Sequence, residues 1–344
     1  MRNPLKFLFS LAFFCIGFNV VFAQVSPFNN REISCPDTLP LRFLVSGHFH
    51  GSSSNTTGLP AKTLLYNLEK INSSQPCFMV SLGDLFLDVK KDIPVYSDTL
   101  FKRMTFPLFN VVGNHDVSGN VYTDHFGPTW FAIRHSGSLF LFLDTEINDG
   151  SIEGEQLKFL DDQLSHLKSV YRIFVFMHRL VWAEDHPQMK HLFKDNTRSS
   201  SPGNFRSEIL PRFEDASKHM EVYFFGGSLG AAGASFFYHK EEKKSLTYIA
   251  TAIRDTPFDA MLSVEVDSSG VHFSSFPLTM PPNYYDIDYY SGTQEKSNTG
   301  FNWRLVPLYM KQTLSHRFFW YGLFLGALFL MSFMFVFKKL RRKK

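Results

Sequence analysis

The chain has 344 residues, 44% of them hydrophobic and 19% charged, which suffices for one large or two small domains and excludes a mainly disordered chain. Three cysteines exclude a disulfide-dense scaffold and a cysteine-rich zinc protein, while 39 phenylalanines are an unusual load. The formal charge of +3 hides an asymmetry: six of the last seven residues are basic, as are Arg2 and Lys6, and without these eight the remaining 27 basic residues face 32 acidic ones, a net of −5. That sign argues against nucleic acid as a partner of the body.

Residues 1–23 read as a signal peptide, with Arg2 and Lys6 ahead of an apolar stretch and Val21-Phe22-Ala23 before a cut at Gln24; an uncleaved anchor helix is the alternative. Residues 24–39 lead into a body over 40–278 where short apolar runs alternate with helical patterns, the mark of an α/β protein. Strands are expected at 42–46, 78–82, 108–112, 130–135, 139–144, 173–178, 221–226, 246–252, 261–266 and 271–277, and helices at 59–72, 95–104, 154–168 and 206–216. Leu157, Leu160, Leu164 and Leu167 give the third helix one apolar stripe. The early strands are separated by helices and the late ones follow one another, so two packed sheets with helices outside are expected. Residues 279–315, rich in Tyr, Pro, Asn and Gly, read as an irregular stalk.

A membrane-spanning helix is expected at 316–338, since 318–337 carries no formal charge and is long enough to cross about 30 Å of hydrocarbon. The basic tail at 339–344, with Lys338 before it, places the C-terminus in the cytoplasm and the body outside, periplasmic or extracellular. After signal removal only Cys35 and Cys77 remain, in an oxidising compartment. Each precedes a strand; if those strands are parallel neighbours a bridge is within reach, and two unpaired thiols are the alternative. Asn55-Thr56-Thr57 and Asn72-Ser73-Ser74 match the N-glycosylation pattern.

Polar residues stand where several strands stop, the edge at which α/β sheets bind ligands. Ser46-Gly47-His48-Phe49-His50 follow the first strand, Gly83-Asp84 the second and Gly113-Asn114-His115-Asp116 the third, and His178 ends the sixth. These oxygen and nitrogen donors suit Mn, Fe or Zn. Glu184, His186 and His191, and equally Asp124, His125 and His135, read as ordinary polar residues of surface loops rather than ligands.

In these motifs the sequence resembles the calcineurin-like metallophosphoesterases, whose signatures are D-x-H, G-D, G-N-H-D/E, a lone His and G-H-x-H. SLGDL at 81–85 and VVGNHD at 111–116 occur in the family's order, with FGPTWFAI at 126–133, LFLFLDTE at 139–146, GEQLKFLDDQL at 154–164 and FVFMHR at 174–179 between and after them. The resemblance covers 40–278 and implies a four-layer αββα sandwich and a centre in which two metals about 3.5 to 4 Å apart clamp a phosphate. It implies that Asp84 bridges the metals, that Asn114 and His178 serve the second and His50 the first, and that His115 acts on the leaving oxygen with Asp116 orienting its ring.

Two motifs depart from the family. His48 stands where the first motif has Asp, and Gly227 and Leu229 stand where G-H-x-H has its histidines, Leu229 putting an apolar group where the first metal would sit. The resemblance therefore implies one divalent metal, at the second position, rather than two, or none. It implies a membrane-anchored, exported phosphoesterase with weak or altered hydrolysis, acting on a phosphoester or holding a phosphate-bearing ligand. The alternative is an inactive pseudophosphatase serving as a binding or regulatory module. A third reading makes the Phe-rich body an interaction domain for a protein partner, which requires exposed aromatic side chains.

Overall fold

The computed structural model describes residues 25–279 except 53, 185, 187, 188, 190–202, 230–235 and 258, together with 287, 306, 310, 313, 314 and 317–341. The expected signal peptide, His191 and nearly all of the expected stalk lie outside these residues.

Two sheets form the body. In the first, β1 (Leu41–Ser46), β2 (Phe78–Ser81) and β3 (Leu108–Asn110) run parallel, and β10 (Ala260–Asp267) and β11 (Gly270–Pro277) add antiparallel strands beside β1. In the second, β5 (Ser138–Phe142), β6 (Arg172–Met177), β7 (Glu221–Gly226) and β9 (Leu246–Thr251) run parallel between antiparallel edges β4 (Phe131–His135) and β8 (Phe236–Glu241).

The apolar runs of the second sheet are continuous because both faces are buried, and side chains alternate between two apolar layers. Phe140, Phe142, Phe174, Phe176, Tyr223 and Phe225 face the first sheet, where they meet Phe43, Val45, Phe78 and Val80. Leu139, Leu141, Ile173, Val175, Val222 and Phe224 face α5 (Gly154–Ser165) and α7 (Leu210–Ala216). On the far side of the first sheet, Leu44, Met79 and Leu108 pack against α1 (Lys62–Tyr66), α2 (Leu68–Ser73) and α3 (Val89–Thr99).

The phenylalanines are the filling between the sheets. Phe140 and Phe174 stack at 5.1 Å within the second sheet and Phe43 and Phe78 at 5.0 Å within the first, while Phe43 meets Phe140 edge to face at 5.5 Å. Stacking along a sheet and T-shaped contact across the gap satisfy the ring quadrupoles in both directions. Among the described residues of the body, the strongly exposed large apolar side chains include Tyr66 and Tyr171 but no phenylalanine.

Several elements differ from expectation. The helix expected at 59–72 is two short helices separated by Asn67, whose Nδ2 donates to Thr63 O and Leu278 O. The helix expected from 95 starts at Val89, because Asp88 caps it by accepting Lys90 N–H at 3.2 Å, and Pro94 lies inside it. The edge strand β8 and the helices α4 (Val121–Phe126) and α6 (Val181–Glu184) have no counterpart in the expectation. The described part of the lead packs onto the body: Ser26 Oγ donates to Leu108 O, Arg31 Nε to Met104 O, and the Phe28 ring stacks on Phe126 at 4.4 Å. Cys35 and Cys77 form a disulfide with Cα atoms 5.4 Å apart.

Helix α8 (Arg317–Arg341) has 25 residues and is long and apolar enough to cross a membrane. Phe318, Leu323, Phe324 and Phe329 on it are exposed.

Candidate metal centre

The strand-end loops of both sheets converge on Asp84. Glycines let them touch: a Cβ on Gly83 would lie 2.6 Å from His178 Nδ1 and 2.8 Å from Gly113 N, and one on Gly113 would overlap Asp84 N and Oδ1. His48 and Asp84 both hold left-handed φ angles of 57° and 51°, an unfavourable backbone for residues with a Cβ that the surrounding contacts sustain. Two of those contacts are His48 N–H donating to Gly83 O at 3.0 Å and His115 N–H donating to Asp84 Oδ1 at 3.0 Å.

The two carboxylate oxygens of Asp84 face different imidazoles. His48 Nε2 and His50 Nε2 lie 3.6 and 3.8 Å from Oδ2, and His178 Nε2 lies 3.6 Å from Oδ1. His178 Nδ1 donates to Leu82 O at 2.8 Å, which fixes its tautomer and turns the lone pair of Nε2 toward the carboxylate. The Nε2 atoms of His48, His50 and His178 are buried and without hydrogen-bond partners. Lone pairs so placed around one carboxylate fit a divalent cation, and ligand atoms of His48, His50 and Asp84 all lie within 4.8 Å of one another. His178, which the sequence assigns to the second metal position, stands beside Asp84 Oδ1, while His48 and His50 stand beside Oδ2. His48, standing where the family has Asp, belongs to the group.

Burial pushes the His48 imidazole down to about 3, with His178, His50 and Arg254 adding to the fall and Asp84 opposing it, so the ring is neutral near pH 7 and fit to be a ligand. At Asp84 burial works upward, but His178, His50, His48 and His115 override it and hold the carboxyl well below its usual range. At His178 burial works downward and is overcome by Asp84 and Glu146, which raise it. The His48 shift predicts an acid limb. The unfolded chain protonates His48 near 6.5 and the folded chain only near 3, so the unfolded state binds more protons in between and stability falls as pH drops through that window. In chelator, the wild type should lose about 2 kcal/mol more than His48→Asn between pH 6.5 and 4.5, measured by denaturant midpoints at each pH. Equal losses would contradict the shift.

The loop residues fall out as follows. His115 is half-buried with Nδ1 hydrogen-bonded to Leu87 O at 3.1 Å, and Asn114 is half-buried beside it. Asp116 does not orient the His115 ring: its carboxylate accepts Gly113 N–H at 2.9 Å, Phe86 N–H at 3.0 Å and Leu85 N–H at 3.3 Å, tying the second motif to the third. Burial and then the Asp84 charge push this carboxyl up to about 6, against those three donors. Leu229 belongs to the apolar cluster between the second sheet and its helices, with Leu180 and Trp182, rather than taking a metal's place. At Gly227 a Cβ would lie 2.8 Å from Leu82 Cβ and closer still to the Leu82 carbonyl oxygen, so the backbone occupies the space a side chain would need.

Glu184 and His135 are not solvated loop residues. Glu184 is buried and paired through both oxygens with the buried Arg179, next to His178. His135 stands beside Cys35 and Asp37, and His186 beside Glu241 at 3.3 Å. Asp124 and His125 lie exposed on α4, as expected. Arg254 escapes the sequence reading. It follows Ile253, whose N–H donates to Gly47 O, and its own N–H donates to the buried Asp259 carboxylate at 3.1 Å. The strand-end rule that marks the other loops marks this one too, after β9.

The two-sheet α/β body, with Asp84, His48, His50 and His178 at its strand ends, has a fold known from a solved phosphatase structure. A dimetal phosphatase from Danio rerio shares it at a TM-score of 0.51 and 13% identity, over 68% of this chain and 95% of that one. GAP50, the anchor in the inner membrane complex of Plasmodium, aligns at 0.49 and 15% over 79% and 94%. The purple acid phosphatase PPD1 from yellow lupin seeds aligns at 0.48 and 9% over 78% and 58%. No family model matches the sequence, and no curated protein does.

Proposed function

We propose that this chain is a membrane-tethered phosphoesterase-fold protein that binds one divalent metal and a phosphoester, with slow hydrolysis. The observation carrying this reading is the buried set of His48, His50 and His178 around Asp84, with three imidazole nitrogens that no protein donor or acceptor satisfies. A metal held by His48, His50 and Asp84 would polarise a phosphoryl oxygen. His115, steadied by the Leu87 carbonyl, is the residue suited to hold a proton for the leaving oxygen, and Arg254 brings positive charge toward the same cluster. The missing fifth-motif histidines reduce turnover, since losing one group that stabilises the transition state costs about 10²- to 10³-fold.

The tethering rests on α8, long and apolar enough to cross a membrane, and the basic residues at its end favour a cytoplasmic tail with the body outside. A disulfide between Cys35 and Cys77 accords with an oxidising compartment, as does a signal peptide at 1–23. The test is metal content by mass spectrometry and hydrolysis of bis(4-nitrophenyl) phosphate by the full chain in detergent, with Mn, Fe or Zn supplied. One metal per chain and a slow turnover that Asp84→Asn lowers at least about 100-fold are expected. A wild-type chain that takes up none of these metals would overturn the reading. Metal and phosphate binding without turnover would favour the pseudophosphatase, for which the absence of room at Gly227 is the specific argument.

A further inference from the structure

Cys35, Cys77, His135 and Asp37 meet at the entry end of the parallel strands, the edge opposite the Asp84 cluster. Cys77 immediately precedes β2, and His135 ends β4, paired in register with Ser138 at the start of β5. Cys35 Sγ, disulfide-bonded to Cys77, lies 3.3 Å from His135 Nε2. The other ring nitrogen, Nδ1, lies 3.4 Å from Asp37 Oδ1, and that oxygen also accepts the Ser136 N–H. The His135 side chain is 12% exposed and the Asp37 side chain 75%, so one end of the array meets solvent while the sulfur end caps the apolar layer between the sheets.

We propose that this is a thiol–disulfide exchange site in which His135 serves one sulfur of the pair. An incoming low-molecular-weight thiolate attacks Cys77 Sγ. The S–S bond breaks, its electron pair leaves on Cys35 Sγ, and the protonated His135 ring, held by Asp37, gives that thiolate its proton from Nε2. A second thiolate then takes the first from Cys77, whose sulfur leaves as a thiolate and takes a proton from solvent, so two external thiols are oxidised to their disulfide and the protein ends as a dithiol. The array is one-sided, with an imidazole at Cys35 and, among the described residues, none at Cys77, and a thiolate leaves faster when its charge is neutralised. Reduction need not release the lead segment, because Phe28, Ser26 and Arg31 dock it, and Ser136 Oγ holds Thr38 O at 3.3 Å. The two sulfurs therefore stay within reach for the reverse step.

The full chain in detergent is treated with glutathione, quenched with acid, alkylated and mapped by mass spectrometry. Glutathione on Cys77 with the alkyl group on Cys35 is expected, and His135→Asn should slow the reduction about tenfold while the oxidised variant melts as the wild type does. Glutathione found on Cys35, or on both sulfurs equally, would overturn the proposal, as would an unchanged rate in the variant. If His135→Asn fails to fold, the position of the adduct on the wild type decides alone. The site shares no residue with the metal cluster, so the result is independent of the phosphoester reading.

Discussion

Restoring the missing histidine by Gly227→His is expected to destabilise the protein by about 3 kcal/mol without adding a metal. The reason is space at the backbone. Gly227 lies over Leu82, so that any Cβ would press on the Leu82 carbonyl and side chain, and Gly47 is packed on its other side with a Cβ there only 3.1 Å from Gly227 Cα. Gly227 N–H and Ser228 N–H both donate to His178 O at 2.9 Å, which draws this loop down onto the fourth motif. The Leu82 carbonyl in turn accepts His178 Nδ1–H, so displacing it would also turn the imidazole away from Asp84. Gly227→Ala, which adds no ligand, should cost nearly as much and should weaken metal uptake, with a fall in melting temperature of roughly 6 to 12 °C by thermal denaturation. A Gly227→His protein as stable as the wild type and holding a second metal would show that the loop can lift, and that the degeneration lies in side chains alone.

The strand-end edge was legible in the sequence because its logic is local: an apolar run that stops at Gly-Asp or Gly-Asn-His says where the backbone turns and which donors it carries. The two-faced burial of β5, β6 and β7 was legible for the same reason, since alternating Phe with Leu, Ile or Val reads as an unbroken apolar strand. Partners across loops were not. Asp116 follows His115 in the chain, yet its carboxylate reaches back across 30 residues to Phe86 N–H, a choice set by how closely Gly83 and Gly113 pack. The edge strand β8 hid for a physical reason as well: FFYHKE packs fully only through Phe236, and its Lys, His and Glu belong to a half-solvated edge. Leu229 looks like an intruder at a ligand position until the second sheet's outer layer is seen to need it.

Arg179→Met should be the most damaging single substitution outside the glycines, at about 4 kcal/mol or roughly 10 °C of melting temperature. Arg179 and Glu184 are both buried, paired through Nε and, at 3.1 Å, through Nη2, and Nη1 reaches Asp149 Oδ1 at 2.9 Å. Gly150 leaves the room the guanidinium needs, since a Cβ there would lie 2.8 Å from Arg179 Cζ. Burial pushes the Glu184 carboxyl up and Arg179 works against that rise. Without Arg179 the carboxyl must either remain ionised in a dry site or take up a proton. The variant's folded state then binds the more protons, so its stability declines further as pH rises, and the loss relative to wild type should be larger at pH 8 than at pH 5. Arg179→Met/Glu184→Met removes both charges and should recover most of the loss at pH 8, because a buried pair contributes little beyond replacing its own desolvation. Arg179 directly follows His178 and its N–H donates to Thr145 Oγ1 at 3.0 Å, so the single variant should also lower metal affinity while the double variant restores it. A double variant as unstable as the single one would mean that the pair acts through hydrogen bonds to its loop, and not through the charge left unpaired.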